Sequence, residues 1–440
     1  MALKSFYTSS FFQALAEGLI NPFIPVFALS LGASKTLIGL ISALPNFVNP
    51  FSQVFWGVIA DMYDRKKLMI IAGGVFWALL WIPVAFVKDP VTFLILLLIQ
   101  AFLAAISVPS WTVSLINETP SYKRGDISAN VHTFRAMGSF FGTIASGLIL
   151  NQFGFIYFLF FIICFFGLLS RAPFLFIHLT SIPVYKHKLT KTLKETFDFS
   201  IIKREKKLID LIKVMLFLNF ATSIAGPFFS VYVIESMGGT NLDIAIISSI
   251  GIIFSVMFYK SWGTLIDYLG RKTIMLSCIL PISFIPFVYA ISNNIIWIYL
   301  YSIVAHVSWA GFNLAVFTYL SDVIPSERGT TYVATYNMLT GLSTAVAPIV
   351  GGFVADLTSI WNIFIISMIL RMGSIYFIRK LEEKTGSRPR GIFNLEFDYF
   401  GVLGGLEMFL TTYSMVIYDF RKKGKEFINL GRYLKVFKRE

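Results

Sequence analysis

Apolar blocks of about 20 residues alternate with short polar segments along most of this chain. A helix of roughly 20 residues crosses the roughly 30 Å hydrocarbon core of a bilayer. Twelve blocks meet this criterion, and we number them as spans 1 to 12: 6–30, 36–57, 68–87, 90–117, 127–150, 153–179, 214–236, 242–265, 273–291, 294–320, 330–355 and 359–378. The pattern predicts an all-α membrane protein with twelve transmembrane helices.

Two longer polar segments divide this pattern. Residues 180–213 are rich in lysine and separate six spans from six spans, so we expect a solvated cytoplasmic linker there. It joins an N-terminal bundle (1–179) to a C-terminal bundle (214–381). The tail, 382–440, contains an apolar stretch over 399–418 with basic residues on both sides. Such flanks favour an interfacial helix over another crossing.

Composition and charge support the membrane assignment. The chain is 56% hydrophobic and 14% charged, whereas a soluble domain carries about a quarter charged residues. Its net charge of +13 does not indicate nucleic acid, because the basic residues concentrate in the termini and in alternate loops; only Lys35 and Lys88 fall in loops predicted to be outside. We expect a monomer in the plasma membrane, with cytoplasmic termini and lipid around it.

Several other functional classes lack their usual sequence features. Cys164 and Cys278 each lie inside an apolar run, which indicates neither a disulfide framework nor a metal site. No catalytic dyad, phosphate-binding loop or cofactor motif is visible. We therefore expect no enzymatic activity and no cofactor.

A short motif occurs once in each half of the chain. The first copy contains Gly57, Asp61, Arg65 and Lys66, and the second, shifted by 206 residues, contains Gly263, Asp267, Arg271 and Lys272. The segments that begin at Asn21 and Gly226 also match, as do Arg171 and Arg371. These matches indicate a duplication that produced two six-helix halves of the same orientation.

The motif resembles the hallmark of the major facilitator superfamily, G-x-x-x-D-x-x-G-R-[RK]. The second copy matches it fully and has Gly270 at the eighth position, whereas the first copy has Asp64 there. The resemblance covers residues 6–378. It implies two six-helix bundles that rock about a shared cavity and expose it to each side alternately.

The motif aspartates predict a gate on the cytoplasmic side. A helix N-terminus carries partial positive charge, which attracts carboxylates. We expect Asp61 to face the start of span 11 near Gly329, and Asp267 to face the start of span 5 near Gly125.

The motif arginines have expected partners of their own. Glu118 and Asp322 occupy matching positions in the two halves, where they can pair with Arg65 and Arg271. The resemblance implies that these charges latch the bundles together when the cavity opens outward. The alternative is that they only set membrane topology.

Two charged residues lie deep within predicted spans. Glu17 is 11 residues into span 1, about 17 Å along the helix, and a carboxylate there is costly and usually functional. Thr222 occupies the equivalent position in the second half. We expect Glu17 to pair with Arg135 of span 5 and to couple transport to a proton gradient. The alternative is a protonated or hydrogen-bonded structural glutamate.

Polar side chains on several spans predict a cavity for the solute. They are Gln13, Asn21, Asn46, Asn49, His132, Asn219, His306, Asn313 and Tyr336. This set is aromatic, rich in amides and slightly cationic, which favours a neutral polar or anionic solute over a cationic drug. For each single residue, an ordinary contact between helices is the alternative.

The expected function is secondary active transport of a small organic solute by alternating access. One buried carboxylate with a basic neighbour favours protons as the coupling ion. Export is slightly favoured because short-looped members of the resembled family that carry the motif are often exporters. The alternatives are a proton-coupled uptake symporter and a transporter-like membrane sensor or scaffold.

Overall fold

The computed structural model describes residues 2–63, 66–118, 124–155, 157–176, 205–324, 329–382 and 412–418. These residues form helices and connecting loops, and no strand occurs among them. The α-helices of the first half are Ala2–Ile20, Ile24–Ser30, Lys35–Tyr63, Lys66–Leu79, Trp81–Val84, Pro90–Ala104, Ser107–Asn117, Arg124–Phe153, Tyr157–Leu169 and Ala172–Leu175. Those of the second half are Lys206–Ser223, Phe228–Glu235, Asn241–Leu269, Arg271–Ile291, Ile295–Val323, Gly329–Leu357 and Ile360–Arg379. The predicted all-α class is confirmed.

The helices fall into the twelve predicted spans, some of them in two pieces. In the described part of the chain, 11 helices are long and apolar enough to cross a membrane. Span 2, Lys35–Tyr63, is the predicted span that is not among these 11. Its 29 residues include Pro45 and Pro50 as well as several amides. These polar positions lower the hydropathy of span 2 without shortening it.

Spans 1 and 7 break at the two prolines that match in sequence. In span 1 a 3-10 turn, Asn21–Phe23, contains Pro22. In span 7 the helix Lys206–Ser223 ends, and Phe228–Glu235 begins directly after Pro227. Proline lacks an N–H group and its ring clashes with the preceding turn, so each helix is interrupted at this position. The equivalent breaks agree with the duplication.

Span 7 begins earlier than predicted. We placed its first residue at 214, but the helix starts at Lys206. The lysines of this first turn suggested a linker, yet Leu208 and Leu211 are fully buried against the second half. The turn is therefore amphipathic, with a charged face and an apolar face. Residues 177–204, the rest of the predicted linker, lie outside the described residues.

Small residues bring the two halves into contact in two places. Gly39 of span 2 packs on the backbone of Pro348 in span 11, and Gly352 packs on the first turn of span 2. Gly147 of span 5 packs on Ala245 of span 8. A Cβ atom at any of these glycines would collide with the facing helix. Both contacts lie at the end of the molecule that charge patterning predicts to be outside.

The last described segment, 412–418, is a short helix packed on the second half. Thr412 is fully buried, and its hydroxyl lies 3.1 Å from that of Ser277 in span 9. The ring of Tyr413 packs edge-on against a tryptophan of span 8. The rest of the apolar stretch 399–418, predicted to be interfacial, lies outside the described residues. Spans 8 and 9 therefore hold the described end of that stretch.

Arg371 of span 12 is buried in the second half and is 2% exposed. Its Nη1 donates to the carbonyl of Ile282 in span 9 at 2.9 Å, and its Nε donates to the Ser367 hydroxyl at 3.1 Å. Pro286, four residues after Ile282, has no N–H group to bond that carbonyl within the helix. The arginine supplies the missing donor and joins span 12 to span 9.

Candidate transport site and gates

Glu17 and Arg135 form an ion pair between spans 1 and 5. The Nη2 of Arg135 lies 2.7 Å from Oε2 of Glu17. Gln13, one turn earlier in span 1, donates its amide to the other carboxylate oxygen at 3.0 Å. Arg171 of span 6 donates to the Gln13 oxygen at 2.9 Å. These four side chains, which we call the charge network, contain one carboxylate and two guanidinium groups.

The two arginines of the charge network have different environments. Arg171 is 8% exposed, and its side chain fills the space beside Gly74, where any Cβ atom would overlap it. The side chain of Arg135 is 42% exposed and that of Glu17 is 27% exposed. Arg171 is thus a fixed buried charge, whereas the Glu17–Arg135 pair is accessible.

Close packing between spans 1 and 5 positions this pair. Gly138 and Gly142 lie directly against the backbone of span 1, where a Cβ atom would collide. The Thr143 hydroxyl donates to a carbonyl of span 1 at 3.1 Å. These contacts fix how the two helices align along their length. Arg135, one turn before Gly138, lies nearer the start of span 1 than Glu17 does, and its long side chain reaches along the helix to the carboxylate.

The exposed apolar residues of span 5 show which way Arg135 faces. Phe134, Met137 and Phe141 are 36%, 47% and 52% exposed and share one side of the helix, which we assign to lipid. With 3.6 residues per turn, Arg135 and His132 lie on the other side of the helix. They therefore face span 1 and the space between the halves.

A cavity of about 420 Å³ opens beside Glu17 within the first half. Four predicted site residues line it: Glu17, Asn21, Asn46 and Asn49. Asn49 also donates to a carbonyl of span 4 at 3.0 Å, which fixes one wall. Spans 1 to 4 contribute to this lining, so the cavity belongs to the N-terminal bundle.

Sequence reasoning missed the other lining residues, among them Gln100, Trp77 and Trp81. Gln100 is 6% exposed and donates to the Trp77 carbonyl at 3.0 Å. Trp81 is buried, and its indole N–H has no hydrogen-bond partner among the described residues. Gln100 could have been found, because it is the one polar residue in the apolar run 93–106.

The other predicted cavity residues do not line this cavity. His306 lies 2.7 Å from a carbonyl of its own helix and packs against a glycine of span 8. Asn219 donates to a carbonyl of span 11 at 3.4 Å, and Tyr336 is 7% exposed in the apolar core. His132 and Asn313 are exposed. Their part in solute binding stays a prediction.

On the predicted cytoplasmic side, Arg271 lies between two carboxylates. Its Nε is 3.1 Å from Oδ2 of Asp322, the partner expected for it, and its Nη2 is 3.8 Å from Oδ1 of Asp267. The side chain of Asp267 is 78% exposed. We expected Asp267 to contact the start of span 5 when the cavity opens outward, and that contact stays a prediction.

The second motif copy ends in a tight turn. Gly270 has a φ of 94°, a region that favours glycine over residues with a Cβ atom. Gly263 has only one side-chain atom within 4 Å of the position of a Cβ, at 3.9 Å. Lys272 lies in the first turn of span 9.

The first motif copy is only partly described. Arg65 and the side chains of Gly57 and Asp61 lie outside the described residues. Lys66 is 8% exposed at the start of span 3, and Glu118 follows the end of span 4. The pairing of Arg65 with Glu118 and the contact of Asp61 with span 11 stay predictions.

A second group of charges, which we did not predict, joins the halves at the outer end. Asp356 of span 11 accepts from the backbone N–H groups of Lys35 at 2.9 Å and Thr36 at 2.8 Å, and from the Thr36 hydroxyl at 2.6 Å. The Lys35 ammonium lies 2.5 Å from a carboxylate oxygen of Glu235 in span 7. We call these four residues the outer clasp.

The outer clasp is a helix cap between the two halves. Asp356 binds the N-terminus of span 2, where unpaired N–H groups and partial positive charge favour a carboxylate. We predicted the same relation for Asp61 and span 11 at the opposite end. The halves are thus closed at the outer end, while Asp267 at the other end is exposed.

A profile of the Major Facilitator Superfamily matches residues 6–332 and 214–423. The chain therefore belongs to the major facilitator superfamily, a class of membrane transporters. The resemblance stated from the motifs is confirmed.

Relatives and solved structures agree with this family. The chain is 26% identical over 280 residues to the multi-drug resistance efflux pump PmrA of Streptococcus pneumoniae, covering 62% of this chain and 69% of the pump. It is 24% identical over 296 residues to the multidrug resistance protein MdtG of Salmonella dublin, covering 62% and 70%.

Two crystal structures share the fold. The nucleoside transporter NupG superposes with a TM-score of 0.68 at 17% identity, covering 86% of this chain and 98% of NupG. A bacterial homologue of the human lysosomal transporter Spinster, in an inward-facing and unoccupied conformation, gives a TM-score of 0.63 at 12% identity and covers 95% and 97%. Two bundles of six transmembrane helices, related by parallel repeats, form this fold.

Proposed function

We propose that this chain is a proton-coupled secondary transporter that moves a small organic solute across the plasma membrane by alternating access. The Glu17–Arg135 ion pair beside a cavity of about 420 Å³ carries the proposal. A carboxylate within a membrane span is costly, and such residues are usually retained for function. The closed outer end is compatible with one of the two states that such a cycle requires. We propose a monomer with both termini in the cytoplasm.

In this mechanism Glu17 carries the proton. When ionised, Glu17 accepts hydrogen bonds from Arg135 and Gln13. Protonation removes the negative charge that holds the Arg135 guanidinium, which is then free to bind a different acceptor. If the pair is exposed to one side and then to the other, the proton is taken up on the first side and released on the second.

Export is the first candidate for the direction of transport. It is supported by the relatives, which are described as a multi-drug resistance efflux pump and a multidrug resistance protein. Uptake by proton symport is the second candidate. It is supported by Arg171, which gives the charge network more cations than carboxylates and makes the site unfavourable for a cationic drug.

The test is transport by Glu17→Gln in proteoliposomes, with a panel of solutes and an imposed pH gradient. We expect the gradient to accelerate transport of a solute by the wild type and not by the variant. Asp210→Asn is the matched control, because this carboxylate pairs with Lys213 in the first turns of span 7, away from the cavity. Full gradient-driven transport by Glu17→Gln would contradict the proposal.

A further inference from the structure

We propose that the transported solute is an organic anion, that its charged group binds Arg135, and that it crosses the membrane together with a proton on Glu17. This inference rests on the proposed function, takes its second candidate, uptake by proton symport, and adds the class of solute.

The charge network has an excess of positive charge. Its one carboxylate, Glu17, contacts the guanidinium of Arg135 directly. Through the Gln13 amide it is also connected to the guanidinium of Arg171. With Glu17 ionised, the network therefore carries a single net positive charge. Arg171 is 8% exposed and cannot move to solvent without unpacking, so its charge remains throughout the cycle.

Arg135 is the member that can bind a solute. A guanidinium has five N–H donors, and the described ion pair with Glu17 uses Nη2. Its side chain is 42% exposed on the face of span 5 that is turned away from lipid. Paired N–H donors of this kind match carboxylate, phosphate and sulfonate groups well.

The charge of the loaded site distinguishes the classes of solute. When an anion binds Arg135 and Glu17 takes a proton from the medium, the loaded network again carries a single positive charge. A neutral solute moving with a proton leaves two positive charges in the membrane interior. A cation that exchanges for a proton also leaves two positive charges, both when the cation is bound to ionised Glu17 and when Glu17 carries the proton. Because each additional charge in a low-dielectric interior is costly, the anion with its proton is favoured over a neutral solute with a proton and over a cation exchanged for a proton.

The same contact couples the two ions. In the empty state the guanidinium of Arg135 is bonded to the ionised Glu17. An arriving anion replaces that carboxylate on the guanidinium, and the two negative groups repel each other unless Glu17 is protonated. Release reverses both changes, since the solute leaves, the proton leaves and the ion pair re-forms.

In the part of the chain that the structure describes, Arg135 and Arg171 are the charged groups connected to Glu17. Span 5 presents Arg135, with the exposed His132 one turn earlier, and span 6 presents Arg171. Across the cavity, spans 2 and 4 contribute amides, among them Asn49 and Gln100. Glu17 lines this cavity, whereas Arg135 is bonded to Glu17 from span 5 and is not part of the lining. The amides, with the indole rings of span 3, suit the uncharged part of a compact solute that lies beside Glu17.

The experiment uses the full chain in proteoliposomes that contain a trapped pH indicator. Three probes of similar size are added outside: benzenesulfonate, benzyl alcohol and benzyltrimethylammonium. A sulfonate stays ionised, so it cannot carry protons through the lipid by itself. We expect benzenesulfonate to drive proton entry in the wild type and not in Glu17→Gln. One proton and one monovalent anion move no net charge, so a potassium diffusion potential should leave the rate unchanged.

The arginine variants test the binding point. Arg135→Gln should lower anion-driven proton entry about tenfold or more, the effect of losing a hydrogen bond between charged groups. Arg379→Gln, an exposed arginine at the end of span 12, is the matched control and should behave as the wild type. If Arg135→Gln does not fold, the comparison of the three probes on the wild type still decides the class of solute.

The outcomes separate this inference from the proposed function. Proton movement driven by benzyltrimethylammonium or benzyl alcohol and not by benzenesulfonate overturns the anion proposal and leaves proton coupling intact. Anion-driven flux that Arg135→Gln does not reduce overturns the assigned binding point. If no probe moves protons in a manner that depends on Glu17, both the inference and the proposed function fail.

Discussion

Asp356→Ala is the most direct perturbation of the outer clasp. It removes the acceptor of three hydrogen bonds, two from the backbone at the start of span 2 and one from the Thr36 hydroxyl. Losing a helix cap costs about 1–2 kcal/mol. The Lys35–Glu235 pair, with side chains 22% and 33% exposed, remains and contributes up to about 1 kcal/mol.

This cost applies only to the state in which the outer ends meet. A loss of about 1–2 kcal/mol lowers the ratio of outer-closed to outer-open molecules by about 5- to 30-fold. The ratio can be measured by pulsed electron paramagnetic resonance with spin labels at Lys88→Cys and Asn293→Cys. These residues lie in outer loops of different halves and are exposed. The two buried native cysteines are replaced by serine first.

We expect longer label distances to gain population in Asp356→Ala. The control is Asp89→Ala, because Asp89 caps span 4 in the same manner, accepting from the backbone of Val91 at 3.1 Å and Thr92 at 2.8 Å, but within one half. It should leave the distances unchanged. An unchanged distribution in Asp356→Ala, or an equal shift in Asp89→Ala, would refute the reasoning.

Further substitutions test the packing of the two bundles. Gly74→Ala places a methyl group on the side chain of Arg171, so we expect gradient-driven transport to weaken; Gly341→Ala, with no atom within 4 Å of its Cβ, should transport normally. Gly311→Ala places a Cβ atom 2.6 Å from the Trp262 ring, and overpacking of this kind costs about 1–3 kcal/mol. The thermal unfolding temperature of this variant should fall, and a value equal to that of the wild type would contradict this close contact between spans 8 and 10.

Much of the fold could be predicted because its determinants are local. Apolar blocks of the right length define the spans, and the repeated motif defines two equivalent halves. The breaks at Pro22 and Pro227 follow from the chemistry of proline alone. Glu17 and Arg135 could be paired in advance because few charged residues lie within the spans, and charged groups there usually find a partner. The structure brings these two together, while their role in coupling stays a proposal.

The rest depends on which helix ends meet in three dimensions. Asp356 and Lys35 are 321 residues apart, and neither hydropathy nor the motif relates them. The start of span 7 was placed too late because its lysines conceal an apolar face over Leu208 and Leu211. Trp81 could not be assigned to a cavity from sequence, because a tryptophan in an apolar block gives the same sequence pattern whether it lines a cavity or packs in the core.

The contact between Arg371 and the Ile282 carbonyl constrains the order in which this sequence can change. Replacing Arg371 with leucine leaves that buried carbonyl without a donor as long as Pro286 remains. Replacing Pro286 first restores a backbone N–H that can bond the carbonyl within span 9. The two substitutions are therefore epistatic, and an evolutionary path that loses the proline before the arginine is less costly than the reverse path.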